Sequence, residues 1–375
     1  MSADQITYDK AYDTVEPADF PAMIAVPRYG RRSNAFDGII SATHDHFWDP
    51  LDPAYIDFGQ PFDLATTPLM PLDFITELKS AVADRLDDRQ KIALANDVTH
   101  WSLSSILHGE QGALSLSASL CHILVDPGAQ EYAANQAREE ARHVTGFSRY
   151  IAARWQEPLA VGPTLGNLLT ELVTATEVYK KIVGMQMLVE GLAMGAFATI
   201  NAKANDPLLR RLVQLVMSDE AFHHRFGRIW AQKTIGHLSP EEHRKVEDWT
   251  AQVFQVLLFN LINAEQKQAI YVKYGLHWEW VRDAVREAFT DDDRRAAMQE
   301  GTNIFRVLIK TLLHAGIITD RTRPLYAVWV DMRELASEGD EMPGDVVAEE
   351  MMVALRQINA ARRRIASKDP VQSAA

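Results

Sequence analysis

Two short stretches of the chain carry side chains able to hold a metal ion. The segments "EEARHVTGF" (139–147) and "SDEAFHHRFG" (218–227) each contain a Glu followed three positions later by a His, Glu140 with His143 and Glu220 with His223. Residues three apart share one face of a helix, so each pair aims a carboxylate and an imidazole at one point. A lone Glu-x-x-His is common in any long chain. Here, however, Glu110 stands thirty residues before Glu140, and Glu190 thirty residues before Glu220. The arrangement Glu, then Glu-x-x-His, therefore occurs twice with a single spacing. Thirty residues let a chain climb one helix, turn and return beside it. Four such helices would bring Glu110, Glu140, His143, Glu190, Glu220 and His223 around one interior point. Four carboxylates buried together are prohibitively costly unless they are protonated or neutralised. Two divalent cations would neutralise them. Carboxylate and imidazole ligands without thiolate suit two iron ions, or a manganese–iron pair, and open positions on such ions suit dioxygen activation.

The elements that must position these residues read as helices. The stretch "DDRQKIALANDVTHWSLSSILHGEQGALSLSASLCHIL" continues to "VDPGAQ" with a single internal pair of glycines, Gly109 and Gly112, and the next run, 129–156, ends before Pro158. "TLGNLLTELVTATEVYKKIVGMQMLVEGLAMGAFATINAKAN" reads as one run up to Asp206, and Pro207 opens another that continues to about Lys233. Ser239, Pro240 and Glu242 form an N-cap, a first-turn proline and a capping-box partner. Further runs fall at 278–289, 292–316, 324–337 and 345–367, and no alternating strand pattern recurs. The expected fold is all-α. Residues 1–70 differ, with Pro17, Pro21, Pro27, Pro50, Pro53 and Pro61 among aromatic residues such as Phe47, Trp48, Tyr55 and Phe58. They read as an ordered arm wrapped on the body. The expected division is an arm at 1–70, a metal-bearing bundle at 71–236, and C-terminal helices at 237–375 packed on that bundle within the same domain.

Composition removes several classes of function. The net charge of −13 argues against nucleic acid or an anionic membrane as partner, because both are met with basic patches. The single cysteine, Cys121, allows no internal disulfide and reads as a small apolar residue in a reducing compartment. The first twenty residues lack a basic segment followed by an apolar run, and no uninterrupted apolar stretch of membrane-spanning length is evident. A cytoplasmic protein is expected.

The six-residue pattern over about 86–234 resembles the ferritin-like di-iron carboxylate proteins, in which two helices give one Glu each and two give Glu-x-x-His. "HGEQGALSLSA" around Glu110 and "LVEGLAMGAFA" around Glu190 resemble helices of bacterial multicomponent monooxygenase hydroxylases. "EEARH" and "SDEAFHH" resemble motifs of those enzymes and of acyl carrier protein desaturases, while the chain length also suits arylamine N-oxygenases and the benzoyl-coenzyme A epoxidase. The resemblance implies a ferritin-like four-helix bundle with additional helices and an N-terminal arm. It implies a di-iron oxygenase or oxidase that takes dioxygen as co-substrate and oxidises, foremost by hydroxylation, an apolar or aromatic small molecule. Electrons would come from a reductase or ferredoxin, since no flavin or nicotinamide fingerprint is evident, and a homodimer is common in this superfamily. An arylamine N-oxygenase-type enzyme and a non-catalytic di-metal accessory subunit are the alternatives. Within the resemblance, Asp219 and Glu139 would hold the outward N–H of a ligand histidine.

Departures from these families narrow the expectation. Phe147 stands where the ribonucleotide reductase small subunit has its radical tyrosine, and Glu110 where that enzyme usually has Asp. Met194 occupies the place of the threonine that assists the methane and toluene enzymes. Val216 occupies the place of the additional histidine of the arylamine N-oxygenases, which favours hydroxylation. Ferritins are about half this length, which argues against iron storage. One-turn neighbours of the ligands, namely Leu114, Phe147, Met187, Met194 and Val216, are all apolar and would give a greasy substrate wall. His224 and His108 read as non-ligands, and His44 with His46 as loop residues.

Overall fold

The structure is a computed structural model that describes residues 7–44, 46–260, 263–298, 303–339 and 341–366. Among these residues there is no strand, only two isolated bridges that tie Thr14 to Asp9 and to Leu124. The arm carries three short helices, α1 (Phe20–Met23), α2 (Val26–Tyr29) and α3 (Asp37–Thr43), and 3-10 turns follow to Arg85. Some of its aromatic residues are anchors, with Trp48 fully buried and Phe36 and Tyr55 nearly so, while Phe20 and Tyr29 are exposed.

Four long helical runs then hold the candidate ligands: α4 (Asp88–Ile123), α5 (Pro127–Trp155), a π-helical stretch Lys180–Val189 that continues into α7 (Glu190–Lys203), and α8 (Pro207–Thr234). The short helix α6 (Pro163–Thr174) sits between α5 and the π stretch. Helix starts follow local chemistry. Asp87 and Gln90 form a reciprocal capping box on α4. Asp126 and Asp206 each cap a helix whose first residue is proline, α5 and α8. Helix α5 stops at Gln156, whose φ of 78° lies in the left-handed region, two residues before Pro158.

The run expected to be continuous from Thr164 breaks at Ala175. The buried Lys181 ammonium donates to the carbonyls of Leu172 (3.4 Å) and Val173 (2.6 Å), closing the C-terminus of α6 and letting the chain restart. Helix α7 with its π stretch, Lys180–Lys203, is long and apolar enough to cross a membrane, with a mean hydropathy of 1.4, contrary to the sequence expectation. Since 67% of its apolar window is buried inside the protein, it serves as a core helix.

Beyond α8, the chain forms α9 (Pro240–Asn260), α10 (Gln268–Val272), α11 (Trp278–Ala288), α12 (Asp291–Ala297), α13 (Ile304–His314), α14 (Arg323–Ala327), α15 (Met332–Ser337) and α16 (Asp345–Ala366). Ser239 Oγ accepts from the Glu242 N–H at 3.2 Å, as the cap signature predicts. The expected runs at 292–316 and 324–337 each divide in two, the second at the new N-cap Asp331.

Short connections at 124–126 and 204–206 make α5 antiparallel to α4, and α8 antiparallel to α7. Glycines permit close approach where the long helices meet. A Cβ on Gly146 would lie 2.9 Å from Leu212 Cδ1, and one on Gly227 would lie 2.9 Å from Gln186 Cβ. The two largest apolar clusters among the described residues pack around the long helices. One takes Leu116, Leu120, Tyr132, Met187 and Phe226, the other Leu103, Phe147, Met194, Leu212 and Val216. On each long helix the candidate ligands fall between these two clusters, so a polar band crosses an apolar core.

Candidate metal centre

All six predicted ligands lie in that band, and none is more than 5% exposed. Their donor atoms form two overlapping groups within 4.8 Å: Glu110, Glu140, His143 and Glu220 in one, and Glu140, Glu190 and His223 in the other. Glu140 is common to both. The Nδ1 atom of His143 lies 3.2 Å from carboxylate oxygens of Glu110, Glu140 and Glu220. The Nδ1 atom of His223 lies 3.0 Å from Glu140 and 3.3 Å from Glu220. These separations are short, yet Glu140 Oε2, Glu220 Oε2 and His223 Nδ1 make no hydrogen bond among the described residues. Buried polar atoms are normally satisfied. Donors converging on a common point rather than on each other fit a cation between them, and four carboxylates with two imidazoles match the chemistry of a pair of divalent ions.

Electrostatics point the same way. Burial pushes the Glu110 and Glu190 carboxyls well above the usual range, against the pull of His143 and His223 respectively. Burial also opposes ionisation of Glu140, but the two imidazoles outweigh it and hold that carboxyl low. Both rings are disfavoured as cations by burial, yet the carboxylates around them raise His143 and His223 well above the ordinary histidine value. The cluster thus demands positive charge at its centre, which protons or divalent cations supply.

The outward faces of the two rings are tied reciprocally. His143 Nε2, on α5, lies 2.9 Å from Asp219 Oδ2 on α8. His223 Nε2, on α8, lies 2.9 Å from Glu139 Oε2 on α5. An N–H toward each outer carboxylate leaves each Nδ1 lone pair facing the centre, the tautomer a metal ligand requires. Neither acid is an exposed helix charge. Asp219 also accepts from Trp48 Nε1 (2.8 Å) and Arg142 Nε (2.9 Å), and pairs with Arg142 Nη2. Burial would raise Asp219, but the Arg142 guanidinium, then His143 and His46, hold it well below the usual carboxylate range.

His46 lies in the irregular arm, as expected, but it is buried against the outer carboxylates. His44 is exposed, but His46 is 1% exposed, stacks on Phe222 at 4.9 Å, and places Nε2 3.3 Å from Asp219 Oδ1 and 3.9 Å from Glu139 Oε1. The arm thus delivers both His46 and Trp48 to the outer carboxylates. Two further residues were not singled out by the sequence, Gln136 and Gln186. Both are fully buried, and Gln136 Nε2 lies 2.8 Å from Glu190 Oε1 and 3.1 Å from Glu140 Oε1. Asparagine and glutamine rarely mark a site by spacing, and only the proximity of Gln136 to Glu140, one turn on, hinted at it.

The remaining expectations divide. His108 turns away and contacts the Leu159 carbonyl at 2.8 Å. His224 is buried beside a cavity of about 320 Å³ between α8 and α13, lined also by Arg228, Gln232, Lys310, Thr311 and His314. Cys121 is half-buried rather than buried. Of the five apolar neighbours, Phe147, Met194 and Val216 pack in one cluster and Met187 in the other, while Leu114 is half-buried. They flank the polar band on two sides and do not form one wall. No family model matches the chain, and no curated protein matches it.

Proposed function

We propose that this chain is a non-haem di-iron oxidoreductase of the ferritin-like carboxylate class. In this reading it activates dioxygen and oxidises, foremost by hydroxylation, an apolar or aromatic small molecule. The observation that carries the reading is the doubled ligand set sharing Glu140, with each histidine oriented by a carboxylate from the opposite helix. Two iron ions bound there supply the redox chemistry with dioxygen. The chain's own residues would hold them: Glu110, Glu140, His143 and Glu220 on one side, and Glu140, Glu190 and His223 on the other. Asp219 and Glu139 keep the rings in one tautomer. Phe147, Met194 and Val216 exclude water from one side of the band. A separate reductase or ferredoxin delivers electrons, and the protein works as a cytoplasmic homodimer. Val216, fully buried in apolar surroundings, offers no additional nitrogen ligand, which favours hydroxylation over N-oxygenation.

Metal analysis of protein produced with ample iron should give about two ions per chain. With a chemical reductant and isotopically labelled dioxygen, one labelled atom should enter an apolar aromatic test substrate. A single zinc per chain would overturn the metal assignment. Product oxygen derived only from water would overturn the monooxygenase assignment.

A further inference from the structure

We infer that Gln136 and Gln186 form an amide clamp on Glu190 that positions it as a ligand, so that the His223 half of the centre binds its ion separately from, and more weakly than, the His143 half. This rests on the di-metal reading above. Gln136 stands one turn before Glu140 on α5, and Gln186 stands four residues before Glu190 on the π stretch. Both are fully buried, so their amide hydrogens must find partners inside the protein. With the Gln186 N–H₂ turned toward Glu190, its nitrogen lies 2.9 Å from Glu190 Oε2, and its carbonyl accepts from Gln136 Nε2 at 3.0 Å. The second hydrogen of Gln136 serves Glu190 Oε1 at 2.8 Å or Glu140 Oε1 at 3.1 Å. This orientation gives both amides acceptors and puts a donor on each oxygen of Glu190.

The two halves therefore differ. Glu190 belongs only to the His223 group, which has three residues, and it is held by two neutral amides. Glu110 belongs only to the four-residue His143 group, and His143 is the one hydrogen-bond partner its side chain has among the described residues. A carboxylate held on both oxygens keeps one orientation, and each oxygen retains a lone pair for a cation. Packing fixes the clamp as well, since only a residue without a side chain at Gly227 lets α8 close against Gln186. Partners that orient a metal ligand change affinity about 10- to 100-fold when removed.

The test is an anaerobic titration of ferrous ion into the metal-free full-length chain, followed by calorimetry, in the parent, Gln136→Leu and Gln186→Leu. The variants Glu110→Gln and Glu190→Gln assign the steps, because each removes a ligand from one half only. The parent should show two steps, the tighter one sensitive to Glu110→Gln. Gln186→Leu, at a residue that touches Glu190 and Gln136 but not the shared Glu140, should weaken the other step about 10- to 100-fold and leave the tighter step unchanged, which also shows that the variant is folded. Gln136→Leu should weaken the same step at least as much, with some loss at the tighter step because Gln136 also stands 3.1 Å from Glu140. Two steps unchanged or equally weakened in Gln186→Leu would overturn the clamp while leaving two metals in place. A parent that takes up fewer than two ions would instead overturn the di-metal reading on which the clamp depends.

Discussion

Replacing Asp219 by alanine tests the outer tie most directly. The carboxylate is fully buried and receives Trp48 Nε1, both arms of Arg142 and His143 Nε2. Arg142 is only 8% exposed, and its other carboxylate neighbour, Glu139 Oε1, is 3.6 Å away and already faces His46. Removing one member of a buried charged pair typically costs about 3–5 kcal/mol, because the remaining charge is left uncompensated. Two further donors, from Trp48 and His143, would lose their acceptor, each worth about 1–3 kcal/mol when nothing replaces it. These losses overlap at one point and water can enter the space vacated by a carboxylate, so they do not add. A net loss of about 4 kcal/mol is expected, seen as a lower urea midpoint for the metal-free protein at neutral pH. Asp219→Asn keeps the volume and one acceptor oxygen, so it should lose about half as much stability while still weakening metal binding at the His143 side about 10-fold. A midpoint for Asp219→Ala that corresponds to less than about 1 kcal/mol would refute the reasoning, since it would mean that Arg142 is well solvated or paired elsewhere.

Two other outcomes follow from the same structure. Because Glu140 belongs to both ligand groups, Glu140→Ala should reduce metal content below one ion per chain and abolish the rise in melting temperature that metal gives; retention of two ions would refute the shared role. Away from the site, burial opposes ionisation of Glu247, but Thr319, Thr322 and Arg321 hold its carboxyl at about 2 against an ordinary 4.5. A depressed carboxyl stabilises the fold above its unfolded value, and that stability is lost as pH falls from about 4.5 toward 2. With Arg321 half in solvent, about 2 kcal/mol should disappear over that range, and Glu247→Gln should flatten this part of the stability profile measured by denaturant melts.

Much of the buried acid–histidine cluster was legible because residues that converge from helices repeat with the helix. Glu-x-x-His, doubled at a fixed spacing, needs no tertiary information, and the apolar positions around it carry the same 3.6-residue period. What was hidden lies off that period. His46 and Trp48 come from an irregular arm more than 170 residues from Asp219, and no spacing rule links a loop histidine to a helix so distant. Gln136 and Gln186 are neutral and carry no charge signature, and the π stretch that holds Gln186 differs from an α-helix by hydrogen-bond pattern alone. The break at Ala175 was missed because Lys181, which closes α6, reads as one more surface lysine until its burial is seen. Periodicity identifies faces; it does not identify which polar side chain from elsewhere will cover them.

The reciprocal ties give the centre a structural role of its own. The apolar contacts between α5 and α8 tolerate exchange of one aliphatic group for another, so by themselves they define the register of the two helices loosely. Glu139 with His223, and His143 with Asp219, do not tolerate a shift. Sliding α5 by one turn along α8 would separate both pairs at once and leave Arg142 without its carboxylate in an apolar interior. Because each ring is oriented by the helix that carries the other, neither half of the centre can form until both helices are in register. Polar pairs of this kind are costly to bury and contribute less to stability than to uniqueness, as a single buried polar residue does in a coiled coil. The same contacts that aim two imidazoles at one point therefore select the one packing of the long helices in which that point exists.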